Sequence, residues 1–305
     1  LTGLSTETKR KRLATVRDLA KAYLYSYALT HREKSVAFAE GCAAHLVRLL
    51  GGLVPSDLTM ARMEGYIRTR QGEEASGRTI NAEIGELSRI LGRTRKTLWP
   101  KLKKLEERHD VGRCLTPEEE TRLLAAADAK GWAISVIIRL ALSTGMRQGE
   151  ITDLCWSQVD LIGNTLTVGK AKTDAGSGRQ IPLNPSLRAL LAAHLDWYRT
   201  AFGEPKPEWF LFPFGVRTRK TDPLRTQGTA DPTRPITRVK KAWEYVRADA
   251  GLDCRFHDLR HTACTKLAEN GVPESTMLAL MGHMSRQLLE RDSHIRMTSK
   301  RDEVK

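Results

Sequence analysis

No apolar run in this 305-residue chain approaches the roughly 20 residues a helix needs to cross a bilayer. No basic stretch followed by an apolar one opens the sequence as a secretory leader would, so a soluble intracellular protein without a membrane partner is expected. The five cysteines (Cys42, Cys114, Cys155, Cys254, Cys264) are odd in number and widely scattered. No two lie at metal-ligand spacing, which argues against a disulfide framework or a cysteine metal site and leaves reduced, mostly buried thiols. No internal repeat is found. Acidic residues fall short of basic ones, 36 against 50, leaving a formal charge of +14 that calls for a polyanionic partner, with nucleic acid first. The length exceeds that of a typical single domain and predicts two.

The first hundred or so residues read as helices with almost no strand signal. Thr15-Val-Arg-Asp18 resembles a capping box, and Val16, Leu19, Ala20, Tyr23, Leu24 and Tyr27 then share one helical face. A second stripe runs through Phe38, Cys42, Leu46, Val47 and Leu50 to Gly51-Gly52, where glycine is expected to relieve the left-handed strain of a helix end. A short helix follows from Thr59 to Arg70. A fourth, starting at Thr79, turns Ile80, Ile84, Leu87 and Leu91 inward and Arg78, Arg89, Arg93, Arg95 and Lys96 outward. Charge then thickens through Lys101, Lys103, Lys104 and Arg108 around Trp99-Pro100, the composition of a linker. The expected division is a helical domain over 1–108, a linker over 109–114 and a second domain over 115–305.

Thr116-Pro-Glu-Glu119 gives the second domain a firm helix start: an N-cap, a first-turn proline and a reciprocal glutamate. The order predicted from there is helix, helix, a strand pair, then helices. Leu166-Thr-Val168 and Gln180-Ile-Pro-Leu183 form the pair around a glycine-rich turn, with Pro182 at an edge or terminus. The stretch from Gly203 to Pro235, rich in proline, glycine, arginine and threonine, reads as a long, partly mobile loop. Its Arg217, Arg219 and Lys220 suit backbone-phosphate contact.

Several groups could carry chemistry. Arg147 and Glu150 lie three apart after a helix that ends at Gly145, and taken alone they read as a surface ion pair. His257 and Arg260 share a face if helical. They could then converge on one phosphate, arginine by its planar donor fork and histidine as acid, base or donor. His257 and His261, at i and i+4, could instead ligate a metal with Asp258 or Asp292, although no glutamate or further histidine nearby completes the set.

The combination says more than its parts. Leu142-Ser-Thr-Gly-Met-Arg147-Gln-Gly-Glu150, Ala171-Lys172-Thr173, His257-Asp-Leu-Arg260-His-Thr262 and Leu280-Met-Gly-His283 stand in the order and rough spacing seen in tyrosine recombinases. The chain resembles that family, the phage integrases, from Leu115 to its end, and more loosely in front. The resemblance implies a mainly α fold with a small antiparallel sheet, in which a helical core-binding domain and a recombinase-type catalytic domain form a C-shaped clamp on double-stranded DNA. It implies Arg147 and Arg260 as clamps on the scissile phosphate and Lys172 as the acid for the leaving 5′ oxygen, with Lys170 as its substitute. His257 would assist proton transfer, His283 would donate to a phosphate oxygen, and Glu150 would support the site. No metal or cofactor is implied. The partners implied are a homo-tetramer on synapsed sites, a monomer or weak oligomer without DNA, and accessory DNA-bending proteins. The expected location is cytoplasmic, associated with the nucleoid.

One position departs from the pattern. Where the family's nucleophilic tyrosine follows the glycine-histidine pair by about nine residues, this chain reads Leu289-Glu-Arg-Asp292-Ser-His294, and Tyr245 is its last tyrosine. A DNA-binding protein that does not cut is therefore expected. The alternatives are a binding-only regulator on the same fold and a metal-dependent nuclease built on His257, His261 and Asp292.

Overall fold

The computed structural model describes residues 13–92, 98, 102–107, 112–169, 177–215, 230–237 and 239–282. The chain divides into two compact units, Leu1–Asp110 and Val111–Lys305. Among the described residues most of the chain is helical, with two small antiparallel sheets, both in the second unit.

Among the described residues, the first unit is built mainly on α1 (Val16–Ala28), α2 (Glu33–Leu50), α3 (Met60–Gly72) and α4 (Gly77–Leu91). Three begin on side chains that take an otherwise unpaired amide: Thr15 in a full capping box with Asp18, Thr59 and Ser76. Their inner faces meet in a core of Val16, Ala20, Leu46, Leu50, Leu58, Met63, Tyr66, Leu87, Ile90 and Leu91. Two expectations need correcting. Phe38, placed on the buried stripe of α2, is 57% exposed, because the stripe starts one residue later at Ala39. Gly51 is right-handed (φ −60°), so no left-handed strain is relieved there; a β-carbon would instead collide with the Val47 carbonyl oxygen.

This core also holds carboxylates, which the apolar stripes did not reveal. Buried Glu83 accepts from the Tyr66 hydroxyl at 2.7 Å and from Arg70 Nη2 at 2.7 Å, and buried Glu86 accepts from the Tyr23 hydroxyl at 2.6 Å and from Arg89. Each carboxylate thus has a cationic and a phenolic donor, the condition under which buried charge is tolerable. Burial and the neighbouring carboxylate together push both phenols far above their ordinary range.

In the second unit, α5 (Pro117–Lys130) starts on the Thr116–Glu119 capping box and leads through Gly131 into α6 (Trp132–Thr144). Almost every residue of α6 from Ala133 to Leu142 is buried, as expected of a helix that is apolar all round, and it packs on α5, α8 (Pro185–Phe202), α9 (Val239–Asp249) and α10 (Phe256–Glu269). The short α7 (Gln148–Thr152) and the final described helix α11 (Glu274–Met281) complete the set. The expected pair forms as β2 (Thr165–Thr167) and β3 (Gln180–Pro182), with Leu166 opposite Ile181, and β1 (Val159–Asp160) adds a third strand on the far side of β2. Pro182 ends an edge strand, where its missing N–H costs no ladder bond.

Part of the expected long loop is fixed structure. The Phe210 amide donates to Pro232 and the Leu211 amide to Leu154, β4 (Pro213–Phe214) pairs with β5 (Asp231–Pro235), and Leu211 and Phe212 are buried in the main core. Prolines that suggested irregular chain sit in two-stranded edge pairing. His194 on α8 is fully buried beside them. Its Nδ1 lies 2.9 Å from Trp132 Nε1 and its Nε2 2.9 Å from the Leu211 carbonyl, so the neutral ring accepts from the indole and donates to the main chain. Burial pushes its pKa down to about 4.

Candidate active site

Gly145 ends α6 in a left-handed turn (φ 62°), a conformation that carries no penalty for glycine. A β-carbon there would also run into the Met281 thioether. Two residues on, Arg147 caps α7, whose third residue is Glu150. The Glu150 carboxylate is buried and turned back, accepting from the Arg147 main-chain N–H at 3.0 Å and from Arg147 Nη1 at 2.9 Å. The pair is therefore not the surface contact that its sequence spacing alone suggests. Arg179, which enters β3, closes on the same carboxylate, with Nη2 at 2.6 Å and Nη1 at 3.4 Å. Burial alone would raise the Glu150 pKa, but the hydrogen bonds from Arg179 and the Arg147 amide outweigh it and hold the group below the usual carboxylate range.

A third arginine reaches the same region from α10. Arg260 is buried, with Nη1 donating to the Gly145 carbonyl at 2.6 Å and Nη2 to that of Met281 at 2.7 Å. The preceding carbonyl, Leu280, accepts from Arg179 Nε at 2.9 Å. The end of α11, whose last carbonyls lack helical partners, is thus held by two guanidinium groups. The contacts close a ring that runs from Gly145 through Arg147, Glu150 and Arg179 to Leu280, then from Met281 through Arg260 back to Gly145. Burial first, and then the nearby Arg147 charge, push the Arg260 pKa down to about 10.

His257 stands in the first turn of α10, one residue before Asp258, which accepts from the Arg255 amide at 2.7 Å and from Arg255 Nη2 at 2.9 Å. The ring keeps an open face to solvent. The atoms packed about it and the guanidinium groups of Arg260, Arg147 and Arg255 nevertheless push its pKa below the ordinary value, favouring the neutral imidazole. His261 packs edge-on against it with ring centroids 5.0 Å apart. Among the described residues, no three His, Cys, Asp or Glu side chains gather to hold a metal.

Of the residues expected at the site, Arg147, Glu150, His257 and Arg260 come together. Lys170, Lys172, His283 and Asp292 lie outside the described residues, as do Arg93, Arg95, Lys96, Arg217, Arg219 and Lys220. Arg78 and Arg89 are exposed on α4, Arg89 in an ion pair with Glu86. Arg179 was missed. The signal for it was present: Arg179, Ile181 and Leu183 are the alternate, buried positions along β3 and its two flanking residues, so a charge sits where a strand buries apolar side chains.

The sequence model of the phage integrase family matches residues 113–297, most of the second unit and the whole of this ring. The chain belongs to that family. Among tyrosine-recombinase relatives, it is 28% identical over 239 residues to the shufflon-specific DNA recombinase of Escherichia coli, an alignment covering 75% of this chain and 54% of that protein. The chain spans about half the length of the curated relatives it matches. The integrase fold recurs in the Tn1549 transposon integrase in complex with circular intermediate DNA, with a TM-score of 0.71 at 17% identity over 91% of this chain and 94% of that one. It recurs also in a lambda integrase tetramer bound to a Holliday junction, with a TM-score of 0.62 at 18% identity over 89% of this chain and 78% of that one.

Proposed function

We propose that this integrase-family chain is a site-specific DNA recombinase by descent that binds its target duplex but does not cleave it. The observation that carries the reading is the guanidinium cluster, in which Arg147 and Arg179 pair with the buried carboxylate of Glu150 and Arg260 lies close enough to feel the charges of both. Like charges gathered this way repel one another, and an anion between Arg147 and Arg260 would relieve the repulsion. A DNA phosphate fits, because planar donor forks match its oxygens and stabilise the charge that builds on them during transfer. His257, neutral beside them, can take or pass a proton. Lys172 would protonate the leaving 5′ oxygen and His283 would donate to a phosphate oxygen. Arg78, Arg89 and the basic residues at 93, 95, 96, 217, 219 and 220 would add sequence-independent backbone contacts, and four protomers would assemble on two sites.

Cleavage of this kind needs a nucleophile that stores the strand end as a stable ester. At Asp292 a carboxylate is too short to reach where a phenol would, and an acyl phosphate would hydrolyse. The test compares this chain with its Asp292→Tyr version on DNA from the flanks of its own gene, scoring a protein–DNA adduct that survives denaturing electrophoresis with chelator present. An adduct from the tyrosine version alone supports the reading. Asp292 also favours a second reading, a binding-only regulator with a degenerate site, for which both versions bind and neither forms an adduct. Cutting abolished by chelator would instead support the metal-dependent nuclease. Affinity should fall steeply with added salt as counterions are released, and a salt-independent affinity would count against phosphate binding.

A further inference from the structure

We propose that Arg179 is a positioning residue of the phosphate site, setting Arg147 through Glu150 and the Met281–Gly282 end of α11 through the Leu280 carbonyl. The inference rests on the reading of this site as one built for DNA cleavage. Arg179 makes no use of its charge at the surface, for its side chain is only 5% exposed. Its Nη atoms reach Glu150, 29 residues back, and its Nε reaches Leu280, 101 residues on. Its backbone is itself pinned in the β2–β3 hairpin, where the Val168 amide donates to the Arg179 carbonyl at 2.9 Å and the Gly178 amide to that of Val168 at 2.8 Å. One side chain therefore registers three separate pieces of chain: the β2–β3 strand pair, the α7 turn that carries Arg147, and the last turn of α11.

An apolar residue would fill the position at less cost. Ile181 and Leu183, on the same strand face, are buried among hydrophobic neighbours, and a guanidinium there must be stripped of water. What it adds is geometry. The rigid fork fixes the plane of the Glu150 carboxylate, and that plane decides where Oε1 meets Arg147 Nη1. Lysine would keep the charge but could not span Glu150 and Leu280 together.

The test uses the full chain in the Asp292→Tyr background, with double-stranded DNA from the flanks of its own gene as the probe. Arg179→Met should slow adduct formation about tenfold to a hundredfold while leaving the DNA concentration for half-maximal rate within about threefold. Arg179→Lys should recover only part of the rate. The Arg179→Met, Glu150→Gln double variant should be no slower than its slower parent, because both act through one path. Arg199→Ala, which breaks an exposed ion pair with Glu204, should change nothing. An unchanged rate for Arg179→Met, losses that multiply in the double variant, or equal loss of rate and affinity overturns the proposal.

Hydrogen exchange of the DNA-free chain supplies a readout that does not depend on cleavage. Arg179→Met should speed exchange in 148–152 and 274–282 together and leave 185–202 as it was. Unchanged protection of 274–282 overturns the coupling. If the Asp292→Tyr parent forms no adduct, the cleavage reading is what has failed, and the exchange result alone decides whether Arg179 registers these segments.

Discussion

Replacing Glu150 by glutamine preserves its shape and removes its charge, and the ring of contacts at the site allows the consequence to be worked out. The carboxylate accepts four hydrogen bonds, two from Arg147 and two from Arg179. A glutamine oxygen can serve one side, but its NH2 group then faces donors on the other. Removing one member of a buried ion pair costs about 3–5 kcal/mol, because the remaining charge stays buried without compensation. The Arg179 side chain, 5% exposed, incurs that cost in full, while that of Arg147, 27% exposed, is partly relieved by water. Glu150→Gln should therefore lower the urea-derived stability of the second unit by about 3–5 kcal/mol at pH 7, and its Tm by on the order of 10 °C. The pH dependence provides an internal check. The folded-state pKa of Glu150 lies below its ordinary 4.5, so its contribution is complete above that pH and is lost as pH falls through the folded value. The gap between parent and variant should narrow in acid. A gap under about 1 kcal/mol at neutral pH, or one that stays constant through acid, would refute the charge-partner argument.

Arg260→Lys cannot bridge the Gly145 and Met281 carbonyls, and should cost about 2–4 kcal/mol in urea unfolding; an unshifted midpoint would deny the bridge. His194 has its folded pKa lowered from 6.5 to about 4, so the unfolded chain takes the proton first and stability present above pH 6.5 is lost as pH falls towards 4. The loss is on the order of 3 kcal/mol, and in His194→Phe this part of the slope should vanish; an identical pH profile for the two proteins would show that the imidazole is not the group responsible. In the Asp292→Tyr version, the acid limb of the adduct-rate profile should lie below the ordinary histidine pKa of 6.5, since the burial and arginines that depress His257 keep it neutral above that point. A limb above neutrality would assign proton transfer to another group.

Legibility from sequence followed the range of the interaction. The helix starts at Thr15 and Thr116 could be read because a capping box is complete within four residues. The second sheet could not be read in this way. Its strands are two and five residues long and contain three of the prolines that ordinarily mark irregular chain, and they are held by partners elsewhere, such as Leu154 for Leu211. Phe38 failed for the opposite reason: a helical stripe fixes a direction on the helix, but only packing decides where along it the neighbour begins.

The sequence by itself determined the family, through the motifs around Arg147, His257 and Arg260, and it has no tyrosine after Tyr245. These are matters of residue type and order, which no packing can alter. Tertiary structure alone decided that Glu150 is a buried hub rather than half of a surface pair, that Arg179 belongs with it, and that Arg260 ties Gly145 to Met281. Those contacts join residues 29, 115 and 21 positions apart. A local pattern can specify a helix and its faces, because they depend on neighbours three and four residues away. Which charge meets which across such distances is settled only when the hydrophobic core has placed the helices and strands that carry them.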